Sequence, residues 1–207
     1  MTVEIDDWTC RVDFPEGWIQ LMAASGETGW ARAAVNSLNP SDLVVSAESF
    51  EQGLISPARE AEQIQSVLSA AFFVAGGAHY ATFTVQIFGE DGVTLSLDEV
   101  EDRLRGHKEM VGEPGVSRVD LSAGPAIRLQ ARYQSKGVFG FGKKLWESVS
   151  YALLVPQTSD VLLATTAWNA SKHRQQLAAE ADALMKTLRH VLLDAEGNPI
   201  SDPGSTT

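Results

Sequence analysis

Apolar and polar positions alternate most clearly in the second half of the chain. Ile127, Leu129, Ala131 and Tyr133 interleave with Arg128, Gln130, Arg132 and Gln134. This period of two marks a strand with one buried face and one polar face meeting water. Val149, Tyr151, Leu153 and Val155 repeat the pattern, and Val161 to Trp168 forms a further apolar run. The link from Pro156 to Asp160 is too short for a parallel crossover, so these strands are expected to pair as a hairpin. Upstream, Tyr80 to Phe88 carries Ala81, Phe83, Val85 and Ile87 on one face. Glu90-Asp91-Gly92 has turn chemistry, and Val93, Leu95 and Leu97 extend the alternation. Shorter strands are expected at Trp8 to Phe14, Trp18 to Met22 and Ser117 to Leu121, the first two joined by the Pro15-Glu16-Gly17 turn.

Helical spacing governs other stretches. Leu177, Ala181, Leu184, Met185 and Leu188 form an apolar stripe on a final helix that begins near Ser171. Ser96 and Glu99 make a capping box for a helix running to about Met110, before the breaker Glu113-Pro114-Gly115. Thr28 to Leu38 and Ser41 to Gln52 read as helices separated by Asn39-Pro40. Ser56-Pro57 has the form of a helix start, and Ala61, Ile64, Leu68, Ala71 and Phe72 continue it to Gly76-Gly77. The sum is an α+β fold: an antiparallel β-sheet flanked by α-helices, with a long C-terminal helix. A single domain is expected over 1–193, with inserted helices near 28–52. Residues 194–207 are polar and turn-rich, the composition of a disordered tail.

Composition narrows the function. The 207 residues carry a formal charge of -11, which argues against nucleic-acid binding, since phosphate contacts need clustered Lys and Arg. A single cysteine, Cys10, allows no internal disulfide and no cysteine-based zinc site. The first residues, MTVEIDDWTC, lack the apolar run of a signal peptide, and no stretch reaches the ~18 apolar residues of a spanning helix. The expected location is the cytoplasm.

The charge is not evenly spread. Leu121 to Trp146 holds Arg128, Arg132, Lys136, Lys143 and Lys144 and no acid. Its centre, Gly137 to Lys144, matches G-x-x-x-x-G-K of a phosphate-binding loop, but Lys144 stands where a Ser or Thr should bind magnesium. The residues after Lys144 also alternate like a strand, whereas a phosphate loop must open a helix. The segment therefore reads as a β-hairpin tip, with Phe139 and Phe141 beside Lys143 and Lys144. An aromatic and basic tip suits a protein partner with an acidic surface, or a membrane edge. Phe139, Phe141, Lys143, Lys144, Arg128 and Arg132 are the candidate partner-binding residues.

Other candidates are weaker. Asp98 to Asp102 reads as a solvated helix face, with Glu99 and Glu101 spaced to pair with Arg103 and Arg105. His79, His107, His173 and His190 show no metal-ligand spacing. Cys10 with a distant histidine has no supporting local signature. No G-x-S-x-G elbow occurs. The five tryptophans adjoin predicted elements and read as packing residues. No catalytic residue, metal ligand or cofactor is assigned.

Phe14-Pro15-Glu16-Gly17-Trp18 resembles the opening turn of Mog1/PsbP-like domains. The resemblance continues at Gly124-Pro125-Ala126 with Arg128, at Tyr151 to Pro156, at Val161 to Thr166, and in a last helix with Asp182 and Leu188. It covers roughly Phe14 to Leu192. The resemblance implies a central antiparallel sheet flanked by helices, and a non-enzymatic accessory, assembly or binding role, with no binding residues carried over. The resulting reading is a non-catalytic accessory domain acting through a protein partner. Two alternatives stand beside it: a small-ligand-binding protein or enzyme with a cleft between sheet and helices, and a structural component of a larger bacterial assembly.

Overall fold

The computed structural model describes residues 7–22, 29–37, 45–74, 78–89, 93–136, 143–156, 158–169 and 173–193. In chain order the elements are β1 (Asp7–Arg11), β2 (Trp18–Gln20), α1 (Gly29–Ser37), α2 (Ala47–Gln63), β3 (Leu68–Val74), β4 (Ala78–Phe88), α3 (Leu97–Arg105), β5 (Gly115–Leu121), β6 (Gly124–Lys136), β7 (Lys143–Leu154), β8 (Val161–Asn169), α4 (Arg174–Thr187) and β9 (Arg189–Leu193). The main sheet has seven strands in the order β2-β3-β4-β8-β7-β6-β5, and β1 and β9 form a two-stranded ribbon. Every pairing is antiparallel. Strands β5 to β8 form the meander that their short links predict.

The alternation in β6 and β7 decides which residues share a face. Arg128 pairs with Tyr151, Gln130 with Val149 and Arg132 with Glu147, so these six lie on one face. That face also holds Phe72, Phe83, Val85, Ala164 and Leu162, and is covered by Leu177, Ala181, Leu184 and Met185 of α4 and by Trp8 and Cys10 of β1. The opposite face carries α1 and α2 over Ala71 and Phe73, and α3 over Ala152 and Val161. Helices thus flank the sheet on both sides.

The Pro15-Glu16-Gly17 turn works as its residues suggest. The Trp18 amide donates to the Pro15 carbonyl at 3.2 Å, and Gly17 takes φ of +90°. A Cβ at Gly17 would sit 2.8 Å from a ring carbon of Phe72, so both conformation and space require glycine.

Three local readings differ from the structure. The two helices expected at Ser41 to Gln52 and from Ser56-Pro57 onward are one helix, α2, which runs from Ala47 behind the Ser46 cap to Gln63. Pro57 sits inside this helix, its missing N–H leaving the Gly53 carbonyl without its ladder partner. The helix tolerates that loss because Phe50, Leu54, Ile55, Ala58 and Ala61 anchor it in a buried face. It ends in a Schellman motif that carries no glycine signal: Gln65 adopts φ of +54°, its amide donates to Glu62, and Ser66 donates back to Ala61. Leu68, Ala71 and Phe72 then fall on strand β3, where helical spacing and strand burial happen to coincide. Second, Val93 to Leu97 does not continue β4. Ser96 caps α3 there with the full capping box, and that helix closes at Gly106 rather than near Met110. Third, β9 follows α4 directly, unanticipated because its partner β1 lies at the other end of the chain. Residues 194–207 lie outside the described residues.

Candidate functional site

The polar row of β6 is where charge, burial and open space meet. Its side chains project toward α4, which crosses only part of them. Asp182 of α4 lies over Arg128, accepting from its Nε at 2.9 Å and from Nη2 at 3.2 Å. Tyr151 Oη donates to the same carboxylate at 2.5 Å and accepts from Arg128 Nε at 3.2 Å. The Arg128 guanidinium stands 6.0 Å from the Tyr151 ring centre. Burial, and then the Asp182 charge, push the Tyr151 phenol well above its usual range, so it stays protonated as a donor.

Two residues along, Glu147 is the centre of a second network. Its side chain is only 5% exposed. Arg132 Nε donates to Oε1 at 2.8 Å, Trp168 Nε1 donates to Oε2 at 3.2 Å, and Arg174 Nε stands 3.6 Å from Oε1. Three partners from three elements make this buried carboxylate tolerable, because a buried charge needs both pairing and hydrogen bonds.

Between α4 and this row the surface opens. One depression of about 490 Å³ is lined by Gln130, Arg174, Gln175, Ala178, Ala179 and Asp182. A second, of about 350 Å³, shares Gln130 and Arg174 and extends over Arg132, Glu113 and Gly115. Gly115 is the residue opposite Gln130 in the β5–β6 ladder, so no side chain shields that amide from the β5 side. Together the depressions form one polar groove.

The six candidate residues fall into two groups. Arg132 lines this groove and Arg128 lies beside it under Asp182, and each is ion-paired to an acid of another element: Glu147 and Asp182 respectively. Phe139 and Phe141 lie outside the described residues. Lys143 and Lys144 belong to β7, paired with Lys136 and Ser135, and their side chains also lie outside the described residues. Two groupings are invisible in the sequence: Tyr151 with Arg128 and Asp182, and Glu147 with Arg132, Trp168 and Arg174. Glu147 had one signal, an acid in a strand whose same-face neighbours Val149 and Tyr151 are apolar.

Cys10 does have a histidine opposite it, since β1 pairs it with His190. Both groups shift against nucleophilic chemistry. Burial pushes the Cys10 thiol up to about 11 and lowers the His190 pKa below its usual value. The acidic run at α3 is structural: Glu99 completes the Ser96 cap, Glu101 pairs with Arg105 at 2.8 Å, and Asp98 pairs with Arg118 of β5. Among the described residues no group of three or more His, Cys, Asp and Glu could hold a metal ion. No helix among them is long and apolar enough to cross a membrane, which says nothing of β-barrels.

No protein-family model and no curated protein sequence matches the chain. Among solved structures it is similar to LpqN, described as involved in cell envelope biogenesis of Mycobacterium tuberculosis, with 12% identity over 89% of this chain and 84% of that one, at a TM-score of 0.49.

Proposed function

We propose that this chain is a cytoplasmic, non-catalytic accessory domain of the Mog1/PsbP-like type that acts by docking a protein partner at the tip of the β6–β7 hairpin. Phe139 and Phe141 are the apolar anchors in this reading, with Lys143 and Lys144 beside them. The observation that carries it is the division of cations within the acid-free segment. Arg128 and Arg132 are neutralised by Asp182 and Glu147. The ladder of β6 and β7 runs without a break to Lys136↔Lys143, so residues 137–142 join its ends. The outer pairs of this ladder extend past the strands β5 and β8 that flank it, so the connection stands clear of the main sheet, and aromatic anchors dominate binding energy.

Affinity purification with the intact chain and with the Phe139→Ser plus Phe141→Ser variant tests the tip. The variant is expected to lose partner recovery about tenfold or more. Equal recovery removes the tip as the contact. Cell fractionation checks the location, and recovery in an envelope fraction would overturn it.

A further inference from the structure

We infer that the groove between α4 and β6 is a carboxylate-binding site, in which Arg132 and Arg174 hold the carboxylate of a ligand beside Gln130. The inference is independent of the hairpin tip and stands whether or not that tip binds a partner.

Charge balance sets the two arginine clusters apart. Arg128 and Asp182 form a one-to-one pair, made bidentate and closed by Tyr151. The neighbouring cluster is two-to-one: Arg132 and Arg174 converge on the same oxygen of Glu147, at 2.8 Å and 3.6 Å. One positive charge is left over at the groove floor. Both arginines approach Glu147 through Nε, and their terminal nitrogens donate no hydrogen bond to any described residue. A guanidinium engaged through Nε still presents terminal N–H groups, the geometry that matches a carboxylate.

The surroundings favour the same class of ligand. Arg174 and Gln175 open α4, whose first turn has no acidic residue. The positive end of the helix adds to the two arginines. Gln130 contributes an amide shared by both depressions. The acids nearby do not cancel the excess. Asp182 is already paired with Arg128, and Glu113, an exposed residue lining the second depression, forms no ion pair with Arg132 or Arg174. A volume of about 490 Å³ accepts a small dicarboxylic acid or an acidic side chain. The chain's net charge of -11 makes the groove selective in place, since an anion is repelled by most of the remaining surface.

The test is a low-salt titration of the isotope-labelled full chain, followed by amide and arginine Nε resonances. The probes are glutarate, an acetylated and amidated Glu-Gly-Glu peptide, and glutaramide as the uncharged control. Saturable shifts at Gln130, Arg132, Arg174 and Gln175 are expected with a carboxylate probe and not with glutaramide. Arg174→Gln, a change at a half-exposed side chain, should weaken binding about tenfold. Glu147→Gln should tighten it, because the competing internal negative charge is gone while the amide oxygen can still accept from one of the two donors, Arg132 or Trp168. A purely structural role for the cluster would not give these opposite signs. If Glu147→Gln does not fold, Arg132→Gln takes its place, with weakening expected. Peptide binding without glutarate binding assigns the carboxylate to a protein segment, and glutarate binding as strong as the peptide's assigns it to a small acid. The inference is overturned if neither acid gives saturable shifts, if glutaramide binds as well, or if Arg174→Gln binds as the parent does.

Discussion

The two faces of the main sheet solve the problem of burial differently. Under α4 and the β1–β9 ribbon there is one continuous core, in which Trp18, Phe72 and Phe83 pack with ring centres 5.2 to 6.3 Å apart and Leu153, Leu162 and Leu184 are fully buried. On the other face the apolar residues form separate islands, beneath α1 and α2, beneath α3, and around Tyr133 stacked on Trp146. Between the islands run hydroxyl and amide side chains: Thr82, Thr84 and Gln86 of β4, Thr165 of β8, Ser148 and Ser150 of β7. Ser150 and Thr165 hydrogen-bond across the strands at 3.0 Å. One face therefore holds the fold together. The other carries helices that are coupled to the sheet locally.

Matched substitutions test this most strongly. Phe83→Ala should cost about 4–5 kcal/mol and lower amide protection throughout the sheet. Phe50→Ala, an equally buried phenylalanine in the α1–α2 island, should cost about 3 kcal/mol and raise exchange chiefly in α1 and α2. Hydrogen exchange that rises equally everywhere in both variants would break the distinction.

A smaller effect comes from the ribbon side of the main core. Burial lowers the His190 pKa in the folded chain, whereas the unfolded chain titrates near the ordinary imidazole value. Below that value the unfolded state binds a proton that the folded state resists, so stability falls as pH drops. His190→Phe should flatten the loss of melting temperature between about pH 7 and about pH 5. An unchanged slope would remove His190 as its source.

The smallest effect belongs to the strip between the islands. Thr84→Val keeps the β-branched shape at a half-exposed position and should change stability by no more than ~0.5 kcal/mol. A larger loss in urea unfolding would show that the strip is more than a gap between helices.

The site was legible in the sequence only on one side. The alternation from Ile127 to Gln134 exposed Arg128, Gln130 and Arg132 as one row, and it correctly placed them on a single face. It also predicted that this face meets water. That holds for Arg132, which is exposed, and only in part for Arg128 and Gln130, because Asp182 and Arg174 reach across from α4, a helix more than forty residues later in the chain. Periodicity reports which residues share a face and carries no information about what covers that face. The same blindness explains Cys10 and His190, which meet only through the β1–β9 ladder. Local signals failed differently at Gln65, where a non-glycine residue takes the left-handed cap and leaves nothing to read.

The sequence by itself determined the meander, the Gly17 turn, the Ser96 capping box and the apolar stripe of α4 from Leu177 to Met185, though not its end, since Leu188 is the extended cap; each depends on residues close together in the chain. Only the tertiary structure decided where the charges of Leu121 to Trp146 go. Asp182 and Glu147 neutralise two of its arginines, and Arg174 joins the second network as an added cation. Charge in a folded protein is balanced through space rather than along the chain, so an acid-free segment can lie beside acids from other elements.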